Sequence, residues 1–371
     1  MKETSFLAKL LDGEKVEWKS LGEVCEVLRG SRLTKKELSD EYQYPVFHGG
    51  LIPLGYYNQY NRNANQTMII NTGSIGEVVW SSVDFWSSDG TFVVKTPDEI
   101  DDRFLYFFLK INETYFKSQK REGGVPTINR EAIANLQIPI PCPENPKKSL
   151  EIQAEIVRIL DNFTTLTAEL TAELTARKKQ YAYYREQLLT FAEGEVEWKP
   201  LGEVYKFQYG MGNTIPTLGG EYPVYGSNGI VGTHNKFNSE DSPVIGHIGA
   251  YAGIVNWGAG KHFVTYNGVI CKLINQLVHP KYAYYQLLKQ DFNSMAKSAS
   301  HPFVSYDALN KVSIPIPPPA EQARIVSILD KFDALTNSIT EGLPREIELR
   351  TKQYEYYRDL LLNFPKNEVV K

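Results

Sequence analysis

Cysteine is scarce in this chain: there are three in 371 residues, Cys25, Cys142 and Cys271. No two form a C-x-x-C pair, which argues against a zinc site or a disulfide framework and suits a reducing cytoplasm. Apolar runs are short as well. None approaches the roughly 20 residues of a membrane-spanning helix, and the opening MKETSFLAKLLDGEK lacks the apolar stretch of a signal peptide. Positive charge is not in excess: 40 Lys and Arg against 44 Asp and Glu give a net charge of −4. That argues against a protein that coats nucleic acid by bulk charge and leaves room for a local basic face.

Catalytic signatures are missing too. There is no Asn/Asp-Pro-Pro-aromatic element and no Gly-rich cofactor loop. GHIGAYAG, from Gly246, lacks G-x-G-x-x-G spacing and runs into a strand-like IVNW where a helix should open. WGAGKH lacks the leading Gly and the Ser/Thr of a phosphate loop. Neither H-E-x-x-H nor G-x-S-x-G occurs, and the six histidines form no evident metal set. The expectation is a chain with no catalytic residue, no metal and no cofactor of its own.

What is present is repetition. KVEWKSLGEV from Lys15 returns as EVEWKPLGEV from Glu195, and YPVF from Tyr44 returns as YPVY from Tyr222. NTGSIGEVVW, ending at Trp80, is answered by GHIGAYAGIVNW, ending at Trp257. LQIPIP, closing at Pro141, becomes VSIPIP, closing at Pro317. EIQAEIVRILDNF from Glu151 becomes AEQARIVSILDKF from Ala320, and ARKKQYAYYREQLLTF from Ala176 becomes LRTKQYEYYRDLLLNF from Leu349. Six blocks in one order, with a period of about 175 residues, indicate a duplicated domain with an attachment rather than a solenoid. The opening FLAKLLDGEKVEW resembles LLTFAEGEVEW, and the chain stops where a third copy would begin. A circular, pseudo-two-fold arrangement with adjacent termini follows.

Each copy has two sections. The first mixes short β-rich runs such as TMIIN and TFVVK with helical pieces such as DRFLYFFLKINETYF, and ends in a Pro-rich stop. The second is helix. From Glu151 to Phe191 there is no Pro or Gly. Its seam runs Ile152, Ile156, Ile159, Phe163, Leu166, Leu170, Leu174, Arg177, Tyr181, Tyr184, Leu188 and Phe191, a heptad with one stutter. The second copy repeats it through Ile325, Ile328, Phe332, Leu335, Ile339, Leu343, Ile347, Arg350, Tyr354, Tyr357, Leu361 and Phe364. Four added residues around Gly342-Leu343-Pro344 predict a kink or short break. A helix of about 40 residues spans roughly 60 Å, too long to hide its stripe in one small domain.

The expected fold is therefore α+β: two similar mixed α/β domains separated by two long helices in an antiparallel coiled coil. The expected boundaries are an N-terminal segment at 1–14, a first domain at 15–147, a central helix at 148–192, a second domain at 193–318 and a closing helix at 319–371.

Between the shared blocks the copies differ, as in SRLTKKELSDEYQ against MGNTIPTLGGE. Equal frames with unequal interiors suit two reading heads, and drift after an old duplication gives the same pattern. Lys117, Lys120, Arg121 and Thr127 in KSQKREGGVPT, with Lys297, Ser300 and His301 in the matching loop, combine cations with Gly/Ser-rich turns. Such loops suit phosphate and base-edge contact. The turns at His48 and Gly49 and at Ser227 and Asn228 are further candidates, as are His247 and Tyr251. Off the helical seam, Tyr183 beside Arg185 and Tyr356 beside Arg358 have the composition of a protein interface.

With W-K-x-L-G-E-V opening each half, IPIP followed by E-x-Q-x-x-I-V-x-I-L-D, and K-Q-Y-x-Y-Y-R-x-x-L-L-x-F closing each helix, the chain resembles the specificity subunit of type I restriction-modification systems. The resemblance covers nearly its whole length. It implies two target recognition domains, each binding one part of a split double-stranded DNA sequence, with the helices setting the gap. It also implies a prokaryotic cytoplasmic complex with two methyltransferase subunits, which use S-adenosylmethionine to methylate adenine N6 in a flipped base. Two restriction subunits using ATP and Mg2+ can join it. The competing expectation is a non-enzymatic coiled-coil scaffold that joins two protein partners without DNA specificity.

Overall fold

The computed structural model describes residues 6–120, 126–212, 215–295, 302–338 and 340–366. Its contacts divide the chain into two units, one from Met1–Glu169 with Ile347–Lys371, the other from Leu170–Glu346.

In the first unit, Val16–Ser20 pairs antiparallel with Gln137–Pro141, setting Trp18 opposite Pro139. In the second, Glu197–Pro200 pairs with Ser313–Ile316 and sets Trp198 opposite Pro315. Proline lacks a backbone donor, so IPIP can run as a strand only where one edge needs no ladder; each of these pairs stands alone. The LGEV turn that follows is a close approach. A Cβ on Gly22 would lie 2.7 Å from Ala134 Cβ, and one on Gly202 would lie 2.9 Å from Asn310 Oδ1. At the first turn the Ser20 amide donates to the Glu23 carboxylate at 3.0 Å, which holds that carboxyl below its ordinary range.

Unit 2 carries one six-stranded sheet in the order Tyr205–Tyr209, Gly268–Leu273, Ser239–Gly246, Val255–Val264, Tyr222–Gly226, Gly229–His234. Unit 1 splits the same plan. Glu26–Arg29, Thr91–Lys95, Gln66–Ile70 and Val78–Ser81 form one sheet, and Gly55–Tyr57, Tyr44–Phe47 and Trp86–Ser87 another. The parallel contact survives in both, Val46 with Trp86 and Val224 with Phe263. What differs is that Val255–Val264 is continuous where unit 1 has two shorter strands interrupted near Asp84, whose carboxylate accepts from the Ala64 amide at 2.7 Å.

The central helix runs Pro146–Leu189, 44 residues. The second copy is two helices, Pro319–Asn337 and Gly342–Leu362. The break falls just before Gly342, whose φ of 74° is left-handed. A Cβ there would lie 2.3 Å from the Ala334 carbonyl oxygen. Ile339 lies outside the described residues. Pro344 follows in the first turn, where no intrahelical donor is needed.

Within each unit the helices pack antiparallel. In unit 1 Phe163 stacks on Tyr357 with ring centroids 5.4 Å apart, and Ile152 and Ile156 cluster with Leu361 and Phe364. In unit 2 Phe332 stacks on Tyr184 at 5.7 Å and on Tyr181 at 6.0 Å. The seam departs from a two-helix heptad at its ends. Leu160 and Leu329 are fully buried while Ile159 and Ile328 are half-buried, and Leu189 and Leu362 are buried one residue past the expected positions. A helix that touches both a partner helix and a domain must bury two stripes, and the heptad names only one. Leu166, Leu170, Leu174 and Arg177 are half-buried.

The first and last described elements meet in unit 1. Leu7 and Leu11 of the first helix join the cluster of Leu361, Leu362 and Phe364, and the Trp18 indole donates to the Pro365 carbonyl at 2.9 Å. Among the described residues no helix is long and apolar enough to cross a membrane.

Candidate nucleic-acid interface

Strand ends and turns converge at one end of each sheet. In unit 1 the Ser74 amide donates to the Gly49 carbonyl at 2.9 Å. The approach requires glycine twice: a Cβ on Gly49 would lie 2.8 Å from the Thr72 carbonyl oxygen, and one on Gly73, at φ +80°, 2.3 Å from that of Gly49. Asn71 donates to Gly90 at 2.9 Å, Ser88 to Phe47 at 2.9 Å, and Ile128 to Asn71 at 3.1 Å, through backbone amides. The last bond ties down the chain just after residues 121–125, which lie outside the described residues.

Unit 2 repeats the scheme with other side chains. His247 donates its amide to Asn267 at 2.8 Å and accepts from Val304 at 3.0 Å, and Gly249 donates to Pro302 at 2.9 Å. The Ser227 hydroxyl lies 2.9 Å from the Ile248 carbonyl and 3.1 Å from that of Asn267, so it donates to one at a time.

The sequence-derived candidates thus gather from distant positions, but several are committed to the scaffold. His247 is 6% exposed, its Nδ1 lies 3.0 Å from the Val304 carbonyl, and its ring lies 4.2 Å from that of Tyr209. Ser227 is occupied as described. His48 is half-buried with Nδ1 3.3 Å from Asp89. Lys117 reaches Glu77 at 2.5 Å and Glu113 at 3.8 Å, so its charge is matched by carboxylates. The Glu77 bond holds the Lys117 pKa above its ordinary value, and Lys117 holds that of Glu77 below. Lys120, Asn228 and Tyr251 are exposed, and Thr127 is half-buried. Arg121, Lys297, Ser300 and His301 lie outside the described residues.

Other residues join the cluster without having been singled out. The Ser31 amide donates to the Ser87 carbonyl at 2.9 Å, so SRLTKKE leaves the sheet beside the same turns. Arg32, Lys35 and Lys36 on it are exposed and make no ion pair among the described residues. Their only sequence signal was that this segment differs between the copies; the unit 2 counterpart offers exposed Met211 and Leu218 instead. Unit 2 also gathers tyrosines. Tyr209 stacks on Tyr306 at 4.1 Å and meets the half-exposed Tyr266 at 5.8 Å. Burial lifts the Tyr306 pKa to about 12 and that of Tyr209 upward, so both rings offer hydroxyls, not charge, at neutral pH. The first head thus carries exposed cations on a segment that also bears Glu37, Asp40 and Glu41, and the second gathers stacked tyrosines.

A second candidate face lies on the helices. Tyr183 and Tyr356 are 61% and 65% exposed, each edge-on to its seam neighbour, Tyr184 or Tyr357, at 5.4 Å. Arg185 folds back over Tyr181 at 5.6 Å and Arg358 over Tyr354 at 5.7 Å; Arg358 also donates to Asp359 at 2.7 Å.

A model of the family described as "Type I restriction modification DNA specificity domain" matches residues 13–177 and again 193–349. The chain is 39% identical to the EcoR124I/EcoR124II type I restriction enzyme specificity subunit of Escherichia coli, over the whole of both chains. It is 35% identical to a putative type I restriction enzyme specificity subunit of Haemophilus influenzae, covering 97% of this chain and 98% of that one. The solved S subunit of a type I restriction-modification system from M. genitalium shares the fold with a TM-score of 0.74 at 20% identity, over 96% of this chain and 98% of that one.

Proposed function

The chain belongs to the type I restriction-modification DNA specificity family, and from that premise we propose how it reads its target. It is the non-catalytic specificity subunit, the component that recognises DNA within a complex of several subunits. In our reading each recognition domain presents its loop cluster to one part of a split target, and the helices fix the number of base pairs between the parts. One observation carries this: the same frame occurs twice, with different side chains on the loop clusters that the frame holds. Two half-site contacts joined by a stiff spacer act as one strong, spacing-dependent contact.

Phosphate contact falls to the exposed cations, Arg32, Lys35, Lys36 and Lys120, with Arg121 and Lys297 as sequence candidates. Base edges are met by loop polar groups and by the tyrosine hydroxyls of the second head. The Tyr183 and Tyr356 faces each receive one methyltransferase subunit. In this cytoplasmic complex the partners carry the chemistry: S-adenosylmethionine for adenine N6 methylation, ATP and Mg2+ for restriction subunits. The scaffold alternative accounts for the Tyr183 and Tyr356 faces but not for the match of both halves to a DNA specificity domain.

The test is DNA binding by the chain purified with its methyltransferase partner. Selective binding to a split sequence, with affinity and salt slope reduced by charge reversal at Arg121 and Lys297, supports the reading. Sequence-blind, spacing-insensitive binding refutes it.

A further inference from the structure

Where each recognition domain meets its helix pair, one construction occurs twice. In unit 1 the helix Asp102–Ile111 begins against the central helix. Arg103 donates to Asp161 Oδ1 from Nε at 2.9 Å and from Nη2 at 2.8 Å, and its guanidinium carbon lies 4.9 Å from the Trp80 ring centroid and 4.7 Å from that of Tyr106. In unit 2 the helix Pro280–Lys289 begins against Pro319–Asn337. Lys281 lies 4.7 Å from the Trp257 ring and 5.5 Å from that of Tyr284, and 3.8 Å from Asp330. Asp330 also accepts a hydrogen bond from the Tyr285 hydroxyl.

Each site stands two helical turns from a second anchor on the same spacer helix, Gln153 before Asp161 and Gln322 before Asp330. A domain held at one point can pivot; one held at two points along a helix cannot. The ion pairs are a quarter to nearly half exposed, so they add little to stability. Ile156 and Leu160 of the helix and Phe104 and Phe107 of the domain already share one buried apolar cluster. The recurrence of a cation, an indole, a tyrosine and an aspartate at matching positions therefore has a directional role.

We infer that Arg103 with Asp161, and Lys281 and Tyr285 with Asp330, are positioning residues that fix the pitch of each recognition domain on its spacer helix and so restrict the gap between half-sites. The inference rests on the bipartite reading proposed above. Among the described residues neither latch makes a hydrogen bond, ion pair or ring contact with the loop clusters, so loosening one leaves the recognised words unchanged.

The experiment uses the chain in complex with its methyltransferase partner and measures methylation on duplexes whose half-sites stand at the preferred gap or one base pair to either side. Arg103→Lys places in the first latch the cation that the second already uses, and Tyr285→Phe places in the second the ring type found at Phe107. For each, the preference for the correct gap should fall by about fivefold, as expected when a charge-assisted hydrogen bond is lost. Both half-site words should stay as in the unaltered chain, and each variant should remain folded and bound to its partner at the assay temperature. Asp161→Asn should do the same; if it fails to fold, Arg103→Lys decides. An unchanged gap profile in folded Arg103→Lys and Tyr285→Phe complexes, or altered words at an unchanged gap, overturns the inference alone. An unaltered complex with no gap preference overturns the bipartite reading, and the latch with it.

Discussion

The side chain of Gln322 accepts a hydrogen bond from the backbone amide of His279 at 2.7 Å. Its amide donates in turn to the carbonyls of Leu277 at 3.1 Å and Pro317 at 2.8 Å. Gln153 does the same in the other unit, accepting from Asp101 at 2.9 Å and donating to Glu99 at 3.2 Å and Ser149 at 3.0 Å. Both carboxamides are buried. This is the physical content of the Gln that both copies carry three residues before I-V-x-I-L-D: it joins a spacer helix to the loop that starts a domain helix.

Replacing Gln322 by Leu keeps the volume and strands three backbone groups. Each buried orphan costs about 1–3 kcal/mol, so Gln322→Leu should destabilise by about 2–4 kcal/mol, with some of the orphans regaining water. Thermal unfolding of the purified chain checks this; a melting temperature within about a degree of the unaltered chain's contradicts it.

The cations beside the first loop cluster should separate by their partners. Arg32→Ala, Lys35→Ala and Lys36→Ala should each weaken DNA binding across all sequences and lower the salt slope by about one. Lys117→Ala should change the slope less, because Glu77 and Glu113 already match its charge. Titrations at several salt concentrations distinguish them.

Tyr183→Ala and Tyr356→Ala remove exposed rings and should shift stability by no more than about 0.5 kcal/mol. Each should weaken capture of one methyltransferase subunit by about 2 kcal/mol, as for an aromatic interface anchor. Native mass spectrometry should show complexes with one partner subunit for each single variant and none for the pair. Full occupancy in the double variant contradicts the assignment.

The Glu77 and Lys117 pair has an acid limit. Because Lys117 lowers the Glu77 pKa in the folded chain, its contribution is present above the ordinary glutamate value and is lost as pH falls through the lowered one. Protection of the amides near Gly76, measured as exchange relative to the intrinsic rate at each pH, should therefore fall in acid. Glu77→Gln should already show the lowered protection at neutral pH and lose most of this pH dependence.

The spacer idea predicts a mechanical effect. Four residues inserted after Leu170 lengthen the helix by about 6 Å and should change the accepted gap while leaving both half-site words as they were. A change in the words refutes the division of labour between loops and helices.

Much of this was legible because the chain can be compared with itself. The repeat matched the strand pairs that set Trp18 opposite Pro139 and Trp198 opposite Pro315, and the heptad put Tyr184 and Tyr357 where they stack on Phe332 and Phe163. The register was less legible at the helix ends, since Leu160 and Leu329 answer to the domain as well as to the partner helix. Lys117 read as a free loop cation because its partner Glu77 is 40 positions away in sequence. NTGSIGEVVW was legible as a repeated block, but that its turn meets Gly49 depends on strand pairing that no local pattern encodes. The latch at Arg103 was hidden for a similar reason: it needs a strand, a domain helix and a spacer helix together.

The most direct test of the central claim is to co-express the chain with its methyltransferase partner and map N6-methyladenine across the host genome by single-molecule sequencing. A split motif with one fixed gap, lost when either recognition domain is deleted, is the predicted result. An unmethylated genome with the partner demonstrably bound, or an unbroken motif that survives deletion of one domain, would contradict it.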